Sequence, residues 1–301
     1  MADLTIGCRA AGAVGLVLLS VVLAAGRQDA RAGLCGSLDR PLADQARVLE
    51  PLGEPARTAL LGLAGSPVAG EALCGIAGLS ALGDRRVIPQ LAAALRNEAF
   101  REEAYRLARW AAFVAGGPDR DLGEAMLPVV DALGDGGIRD AAGDEAMWLL
   151  GEVDHAAARD LLVAEFDRTL SEATLDAVVH ALARQGEPRV RERVTALGAD
   201  ALRGKSGNAT PEQARRLGAV AFYQLALAPQ AMTDGLETLG TIALRDQEAA
   251  AAWAVHTLCA RAVRRPSERA AIEAHRQALV EELRRSGVTW SEVKGRFGCD
   301  R

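Results

Sequence analysis

The chain of 301 residues carries a formal net charge of −5, and half of its residues are hydrophobic. This composition excludes a disordered chain, because enough apolar surface is available to bury a core. The mildly acidic balance gives no general attraction to nucleic acids or anionic membranes, so we expect no nucleic-acid partner. Only 4% of the residues are aromatic. The apolar residues are mostly alanine, leucine and valine, and alanine and leucine favour helices over strands.

The first 32 residues have the pattern of a secretory signal peptide. An uncharged stretch of 16 apolar or small residues covers 10–25. A membrane-spanning helix needs about 20 residues, whereas the apolar part of a signal needs about 7–15. Small residues at both ends of 30–32 then offer a cleavage site before Gly33. We expect cleavage in this region, export to the periplasm or cell exterior of a bacterium, and no stable membrane insertion afterwards. An uncleaved anchor is the alternative.

Beyond the signal, apolar residues recur with the period of an α-helix, and runs that alternate as in a strand are absent. In one example Leu175, Val178 and Leu182 share a single helical face. Glycine-containing breaks divide the pattern into short helices. Thr210-Pro211-Glu212-Gln213 is a start signal, with a threonine cap, proline at the first helical position and glutamine at the third. The sequence therefore predicts an all-α protein.

From about residue 86, the helices are predicted to alternate as pairs. The first helices of the pairs start near residues 86, 121, 156, 188, 229 and 267, which gives spacings of 32–41 residues. Such a period is typical of a helical repeat array, in which stacked pairs bury a continuous core. We expect an α-α superhelix of about six pairs. Residues 33–85 would form an N-terminal helical cap, and 86–301 a solenoid with its own C-terminal cap.

Three segments carry a family resemblance. They are 81–95 (ALGDRRVIPQLAAAL), 135–162 (DGGIRDAAGDEAMWLLGEVDHAAARDLL) and 185–194 (QGEPRVRERV). They resemble HEAT repeats of the phycobilisome-lyase type, and the resemblance covers about 80–200. It implies a HEAT-like solenoid whose second helices line the concave face. Because some relatives attach bilins to phycobiliproteins, it also implies an alternative function, a small-molecule or tetrapyrrole-handling enzyme or chaperone.

The sequence contains no complete catalytic or metal-binding motif. The segment Gly204-Lys205-Ser206-Gly207 ends like a phosphate-binding loop but lacks the earlier glycine and the preceding strand. His256 and Cys259 share a helical face but supply only half of a zinc site. One acidic cluster lies at an interhelical turn and contains Glu152, Asp154, His155 and Asp160. Carboxylates in such turns commonly cap helices. We therefore expect no enzymatic activity, no cofactor and no metal.

Charge and tryptophan placement suggest a binding surface. Residues 119–160 hold 11 acids and 3 bases, whereas 184–216 hold 8 bases and 4 acids, and 261–301 hold 10 bases and 6 acids. Trp110 and Trp253 lie off the apolar stripes of their helices, and tryptophan is enriched at interface hot spots. The alternative for the charged segments is that their side chains are simply solvated. The alternative for the two tryptophans is that their rings are buried. We interpret the chain as a non-catalytic scaffold that binds a protein partner of unknown identity.

Four cysteines remain after signal removal: Cys35, Cys74, Cys259 and Cys299. An even number in an oxidising compartment suggests two disulfides. The two ends of a repeat array are too far apart for a bond, which requires Cα atoms within about 7 Å. We therefore predict the pairs Cys35–Cys74 and Cys259–Cys299, each at one end of the array. Four buried thiols are the alternative.

Overall fold

The computed structural model describes residues 42–115, 121–168, 172–203 and 210–288. The chain divides into two compact units, Met1–Ala115 and Gly116–Arg301. Within the described ranges every regular element is a helix and no strand occurs. This confirms the predicted all-α class.

Within the described residues, unit 1 holds five α-helices and two 3-10 turns. The helices are α1 (Leu42–Leu49), α2 (Gly53–Ala64), α3 (Ala69–Ala81), α4 (Ile88–Arg96) and α5 (Arg101–Ala115), with the 3-10 turns at Glu50–Leu52 and Arg85–Val87. Helix α3 packs against α1, α2 and α5. A side chain at Gly75 would overlap the backbone of α2. The absence of one allows α2 and α3 to approach closely.

The turn between α3 and α4 connects three helices of unit 1. Gly83 has φ +61° after the end of α3, a backbone conformation that favours glycine. Asp84 follows and accepts hydrogen bonds from the backbone N of Arg86 at 3.1 Å and from its Nε at 3.0 Å. Arg57 of α2 donates to the same carboxylate at 3.2 Å. One buried acid thus caps the turn and links α2 to it.

Unit 2 holds eleven α-helices within the described residues. They are α6 (Asp121–Ala125), α7 (Leu127–Gly134), α8 (Gly136–Ala142), α9 (Asp144–Glu152), α10 (Ala156–Asp167), α11 (Glu172–Gln185), α12 (Arg191–Arg203), α13 (Pro211–Leu227), α14 (Met232–Leu239), α15 (Leu244–Arg264) and α16 (Arg269–Arg285), with a 3-10 turn at Pro229–Ala231.

The helix starts agree with the spacing of the sequence pattern. Elements begin at or within three residues of the six expected positions, at Arg85, Asp121, Ala156, Arg191, Pro229 and Arg269. The capping box before α13 is confirmed. The Thr210 hydroxyl accepts from the backbone N of Gln213 at 3.2 Å, and the Gln213 side chain accepts from the backbone N of Thr210 at 3.0 Å.

One region is more broken than the pattern indicates. A single helix pair is predicted between 121 and 156, but four short helices, α6–α9, occupy this stretch. Gly143 separates α8 from α9 with φ +52°. A residue in this conformation interrupts helical hydrogen bonding, and glycine adopts it at little cost.

Four helices of unit 2 form the frame for the candidate site. Helices α9, α11, α13 and α15 pack in succession, each against the next. Residues 219–227 of α13 are all buried, so α13 is the central helix. Helix α15 also contacts α11. The frame is therefore not limited to nearest neighbours in the series.

Candidate functional site

Aromatic and cationic side chains from this frame meet in one stack. It consists of Trp148 on α9, His180 and Arg184 on α11, Phe222 on α13 and Trp253 on α15. We call this set the aromatic stack.

Arg184 is the centre of the stack. Its guanidinium carbon lies 5.3 Å from the ring centroid of Trp148 and 5.2 Å from that of Trp253. Both distances are within the range of a cation–π interaction, which is stronger where the cation is desolvated. Arg184 also forms an ion pair with Glu152 at the end of α9. Its side chain is only 13% exposed, so the cation is largely enclosed by two rings and a carboxylate.

His180 connects the stack to the core. Its ring centroid lies 5.6 Å from that of Trp148 and 4.9 Å from that of Phe222. One ring nitrogen, Nδ1, lies 2.9 Å from the carbonyl oxygen of Asp176 one turn earlier. Burial lowers the pKa of His180. The imidazole is therefore neutral at pH 7 and serves as an aromatic spacer between α9 and α13.

Trp253 is the exposed end of the stack. It is 41% exposed, and among the described residues the other large apolar side chains with comparable exposure are Val48, Val68 and Leu244, none of which is aromatic. One face of its ring covers Arg184. Trp110, the second sequence-predicted tryptophan, is half-buried on α5 of unit 1. The two tryptophans thus belong to different units and differ in exposure.

Arginines from the end of α15 surround the same region. Arg264 donates to Glu152 at 2.7 Å. Arg265 donates two hydrogen bonds, of 2.7 and 2.8 Å, to Asp154. Arg159 of α10 adds a third bond to Asp154 at 2.9 Å. Burial raises the pKa of the Asp154 carboxyl, but the bonds and charge of Arg265 and Arg159 outweigh burial and hold the pKa below its usual value.

The same end of the frame contains the C-termini of α9 and α11, where helices expose unpaired carbonyl groups. The amide Nε2 of Gln185 donates to the carbonyl oxygen of Leu150 at 2.9 Å and to that of Val153 at 2.6 Å. Arg265 in turn donates to the carbonyl oxygen of Gln185 at 2.8 Å. Cations near helix C-termini also interact favourably with the helix dipole. These bonds explain why arginines collect at this end.

Arg261 completes the arrangement at the end of α13. Its guanidinium donates to the carbonyl oxygen of Ala226. Burial lowers the pKa of Arg261 to about 10, and the positive charge of Arg265 adds to this effect. The Arg261 guanidinium lies directly against Gly186, where a side chain would overlap it. Gly186 thus leaves the space that this arginine fills.

In the structure, the residues of the acidic cluster predicted near 152–160 form separate ion pairs and a helix cap. Its carboxylates are each bonded to arginine, including Asp160, which accepts from Arg189 at 2.8 Å. His155 caps α10, because its Nδ1 accepts from the backbone N of Ala157 at 3.1 Å. Its Nε2 lies 3.4 Å from Glu124. These residues act in the described structure as caps and ion-pair partners.

The unevenly distributed acidic and basic residues also form ion pairs between helices. Carboxylates of the acid-rich segment 119–160 bind arginines of the two basic segments, 184–216 and 261–301. The ion pairs are Arg184–Glu152, Arg189–Asp160, Arg264–Glu152 and Arg265–Asp154. Part of the charge asymmetry is therefore balanced within unit 2.

Several other predicted features can now be placed. Cys74 is buried on α3 of unit 1, and Cys259 is buried on α15 of unit 2. Cys35 and Cys299 lie outside the described residues, so the disulfide pairing stays a prediction. The signal segment 1–32 and the glycine-rich segment 204–207 also lie outside them.

His256 lies on α15, one turn before Cys259. In the described part of the chain, no three His, Cys, Asp or Glu residues converge as a metal site would require. None of the described helices has the length and hydropathy needed to cross a membrane.

Sequence reasoning missed most members of the stack and its surrounding arginines. Trp148 and His180 each lie next to apolar core residues in the sequence. Nothing in the local pattern therefore distinguishes them from other residues of a helix. One signal for the arginines around Asp154 lies in the residues that follow the acid in three interhelical turns. Asp84 and Glu187 are each followed two residues later by arginine, whereas Asp154 is followed there by Ala156. Without an arginine at that position, the Asp154 carboxylate binds Arg159 of α10 and Arg265 after α15 instead.

Comparisons with protein families, with curated proteins and with solved structures return no match for this chain.

Proposed function

We propose that the protein is a non-catalytic interaction scaffold, exported to the periplasm or cell exterior, that holds a protein partner on a HEAT-like solenoid. The helix starts at regular spacing and the successive packing of α9, α11, α13 and α15 support this proposal. The observation that carries it is the 41% exposure of Trp253 on the aromatic stack.

The placement of Trp253 suits recognition of a protein surface. Its ring is held on one side by Arg184, so little side-chain freedom remains to be lost when a partner binds. The rest of the indole offers a large apolar surface with one hydrogen-bond donor. Tryptophans in such settings are enriched among the few residues that dominate binding energy. We therefore assign partner contact to Trp253, and Trp110 stays a second predicted contact.

The proposal is tested with a photoactivatable cross-linking residue placed at Ala249. This position is exposed on α15, one turn before Trp253. In intact producing cells we expect one recurrent cross-linked protein, whose capture is lost when Trp253→Ala is added. Once the partner is identified, Trp253→Ala should weaken its binding by about tenfold or more.

Leu244→Ala is the matched control. Leu244 is a 59% exposed apolar residue on the same helix, and nine residues of helix place it on the opposite side from Trp253. This variant should keep both the cross-link and the affinity. If Trp253→Ala and Leu244→Ala behave alike, or if Trp253→Ala lowers stability but leaves the affinity of the folded protein unchanged, the proposal is wrong.

A further inference from the structure

Among the described residues, arginines outnumber carboxylates at the end of the frame where Arg184 lies. The arginines are Arg159, Arg184, Arg261, Arg264 and Arg265, and the carboxylates are Glu152, Asp154 and Glu268. Carbonyl oxygens accept hydrogen bonds from Arg261 and Arg265 but carry no full charge. Two positive charges therefore have no carboxylate in this set, which we call the arginine cluster. A surface with such an excess of one sign attracts groups of the opposite sign.

Arg264 has unused hydrogen-bond donors. A guanidinium carries five N–H groups, and in the described structure that of Arg264 donates one hydrogen bond, from Nη2 to Glu152 at 2.7 Å. None of its nitrogen atoms is both unpaired and enclosed, so the unpaired ones reach solvent. Burial and the positive charge of Arg265 lower the pKa of Arg264, although Asp154 acts in the opposite direction. A further carboxylate at Arg264 would therefore be favourable.

Trp253 and Arg264 lie on the same side of α15. Eleven residues of helix make slightly more than three turns, so the two side chains project in nearly the same direction, about 16 Å apart along the axis. Helical side chains lean towards the N-terminus, which brings the guanidinium closer to the indole. Between them on this side lies the small residue Ala260. Arg184 contacts Trp253 and forms an ion pair with Glu152, which also binds Arg264. An apolar contact and a cationic contact thus form one strip, which we call the α15 strip.

The length of the α15 strip fits a short extended peptide. An extended chain advances about 3.3–3.6 Å per residue, so four or five residues cover about 16 Å. The methyl group of Ala260 leaves space for a peptide backbone between the two larger side chains. A carboxylate can accept two parallel hydrogen bonds from a guanidinium, and the indole offers a large apolar surface.

We propose that the partner presents an extended acidic segment to the α15 strip, with an apolar or aromatic side chain against Trp253 and an aspartate or glutamate four or five residues away at Arg264. This inference rests on the proposed partner-binding function, because Trp253 is the same contact in both. The arginine cluster attracts the acidic segment, and the indole together with the guanidinium fixes its register.

The test measures binding of defined peptides to the full chain. The peptides are fluorescein-labelled glycine–serine chains with one phenylalanine and, five residues later, two aspartates, two asparagines or two lysines. By fluorescence anisotropy, the aspartate peptide should bind about tenfold more tightly than the asparagine peptide, because the guanidinium gains charge-assisted hydrogen bonds. The lysine peptide should bind no more tightly than the asparagine peptide. Raising sodium chloride from about 50 mM to about 500 mM should remove most of the preference for aspartate.

Arg264→Gln should reduce the preference for aspartate to about twofold or less and leave the affinity for the asparagine peptide unchanged. Glu152 keeps Arg184 as an ion-pair partner in this variant. Arg245→Gln is the matched control, because it removes an exposed arginine near the other end of the same helix. It should keep the preference. Trp253→Ala should weaken the binding of all three peptides. The salt dependence of the wild-type protein keeps the test decisive even where Arg264→Gln does not fold.

Equal or undetectable binding of the aspartate and asparagine peptides would overturn the acidic segment. So would a preference that persists in Arg264→Gln or that Arg245→Gln reduces to the same extent. In each of these cases, cross-linking from position 249 that still depends on Trp253 would leave the proposed function intact. Vesicles of phosphatidylglycerol that displace the aspartate peptide would indicate a general attraction for anions and would also overturn the inference. Peptide binding that is unchanged in Trp253→Ala would contradict both proposals.

Discussion

At the scale of single residues, two glycines of unit 2 show how backbone conformation and side-chain packing each restrict substitution. Gly143 and Gly186 both adopt positive φ, at +52° and +60°. A side chain at Gly143 would meet nothing within 4 Å, whereas one at Gly186 would overlap the guanidinium of Arg261. An alanine would be strained at both positions because of the positive φ, but it would overlap a neighbouring side chain only at Gly186, so the two substitutions separate the two effects.

We predict that Gly186→Ala lowers the free energy of unfolding by about 2–4 kcal/mol. About 1 kcal/mol reflects the left-handed backbone, and the rest reflects displacement of the buried Arg261 from the carbonyl oxygen of Ala226. Gly143→Ala carries the backbone cost alone and should lose about 1 kcal/mol. Urea unfolding of the full chain measures both. Equal losses would contradict the packing assigned to Arg261.

The candidate site was predictable at only one of its residues. Trp253 could be selected because it falls off an apolar stripe, a property of the local sequence. Arg184 and Arg265 could not be selected, since their roles depend on partners from other helices. Helical periodicity reports which face a residue occupies, but it carries no information on which distant face it meets.

At the scale of helices and turns, Asp84 before α4 makes a local interaction whose contribution to stability depends on pH. Arg86 lowers the pKa of Asp84 to about 2, against an ordinary value of 3.8, by hydrogen bonding that outweighs burial. A carboxyl whose pKa is lowered in the folded state stabilises that state above its ordinary pKa. The contribution is lost as the pH falls through the folded value.

We predict that Asp84→Asn lowers the stability of unit 1 by about 2 kcal/mol at neutral pH, because a pKa shift of nearly two units is lost. The deficit should shrink as the pH falls from about 4 to about 2, where the wild-type carboxyl also becomes neutral. Urea unfolding across this range measures it. Asp44→Asn, which removes an exposed pair with Arg47 on α1, should cost about 0.5 kcal/mol or less. A deficit for Asp84→Asn that does not change with pH would refute the assignment.

Helix boundaries were the most predictable part of the fold. Thr210 and Gln213 satisfy each other's backbone groups within four residues, so the signal is entirely local. The break at Gly143 was missed because a lone glycine inside a helical pattern is often tolerated. The link between α15 and the turn before α10 was missed because more than 100 residues separate its members.

At the scale of the whole chain, the cysteines connect the predicted export with stability, because disulfides form in an oxidising compartment. We expect the exported protein to begin between residues 26 and 33 and to contain Cys35–Cys74 and Cys259–Cys299. Each predicted pair falls inside one of the two units. Each bond closes a loop of about 40 residues, which corresponds to about 3–4 kcal/mol in the loop-entropy description.

Mass spectrometry of the native protein determines the N-terminus, and non-reducing peptide mapping determines the bonds. An intact Met1 in a membrane fraction would support an anchor instead of a cleaved signal. A link from Cys35 to Cys259 or from Cys74 to Cys299, or four cysteines open to alkylation in the native protein, would refute the predicted pairing.

The pairing of Asp154 with Arg265 also has a consequence for the order of events during synthesis. Ribosomes add roughly 5–20 residues per second, so Asp154 precedes Arg265 by about 5–20 s on the basis of their separation of 111 residues. Most helix–helix contacts in unit 2 join neighbours in the series and can form as the chain emerges, since local contacts form fastest. The turn before α10 receives its bonds from Arg265 only when the last part of the unit has been made, and until then Asp154 has Arg159, five residues further on, as its arginine partner.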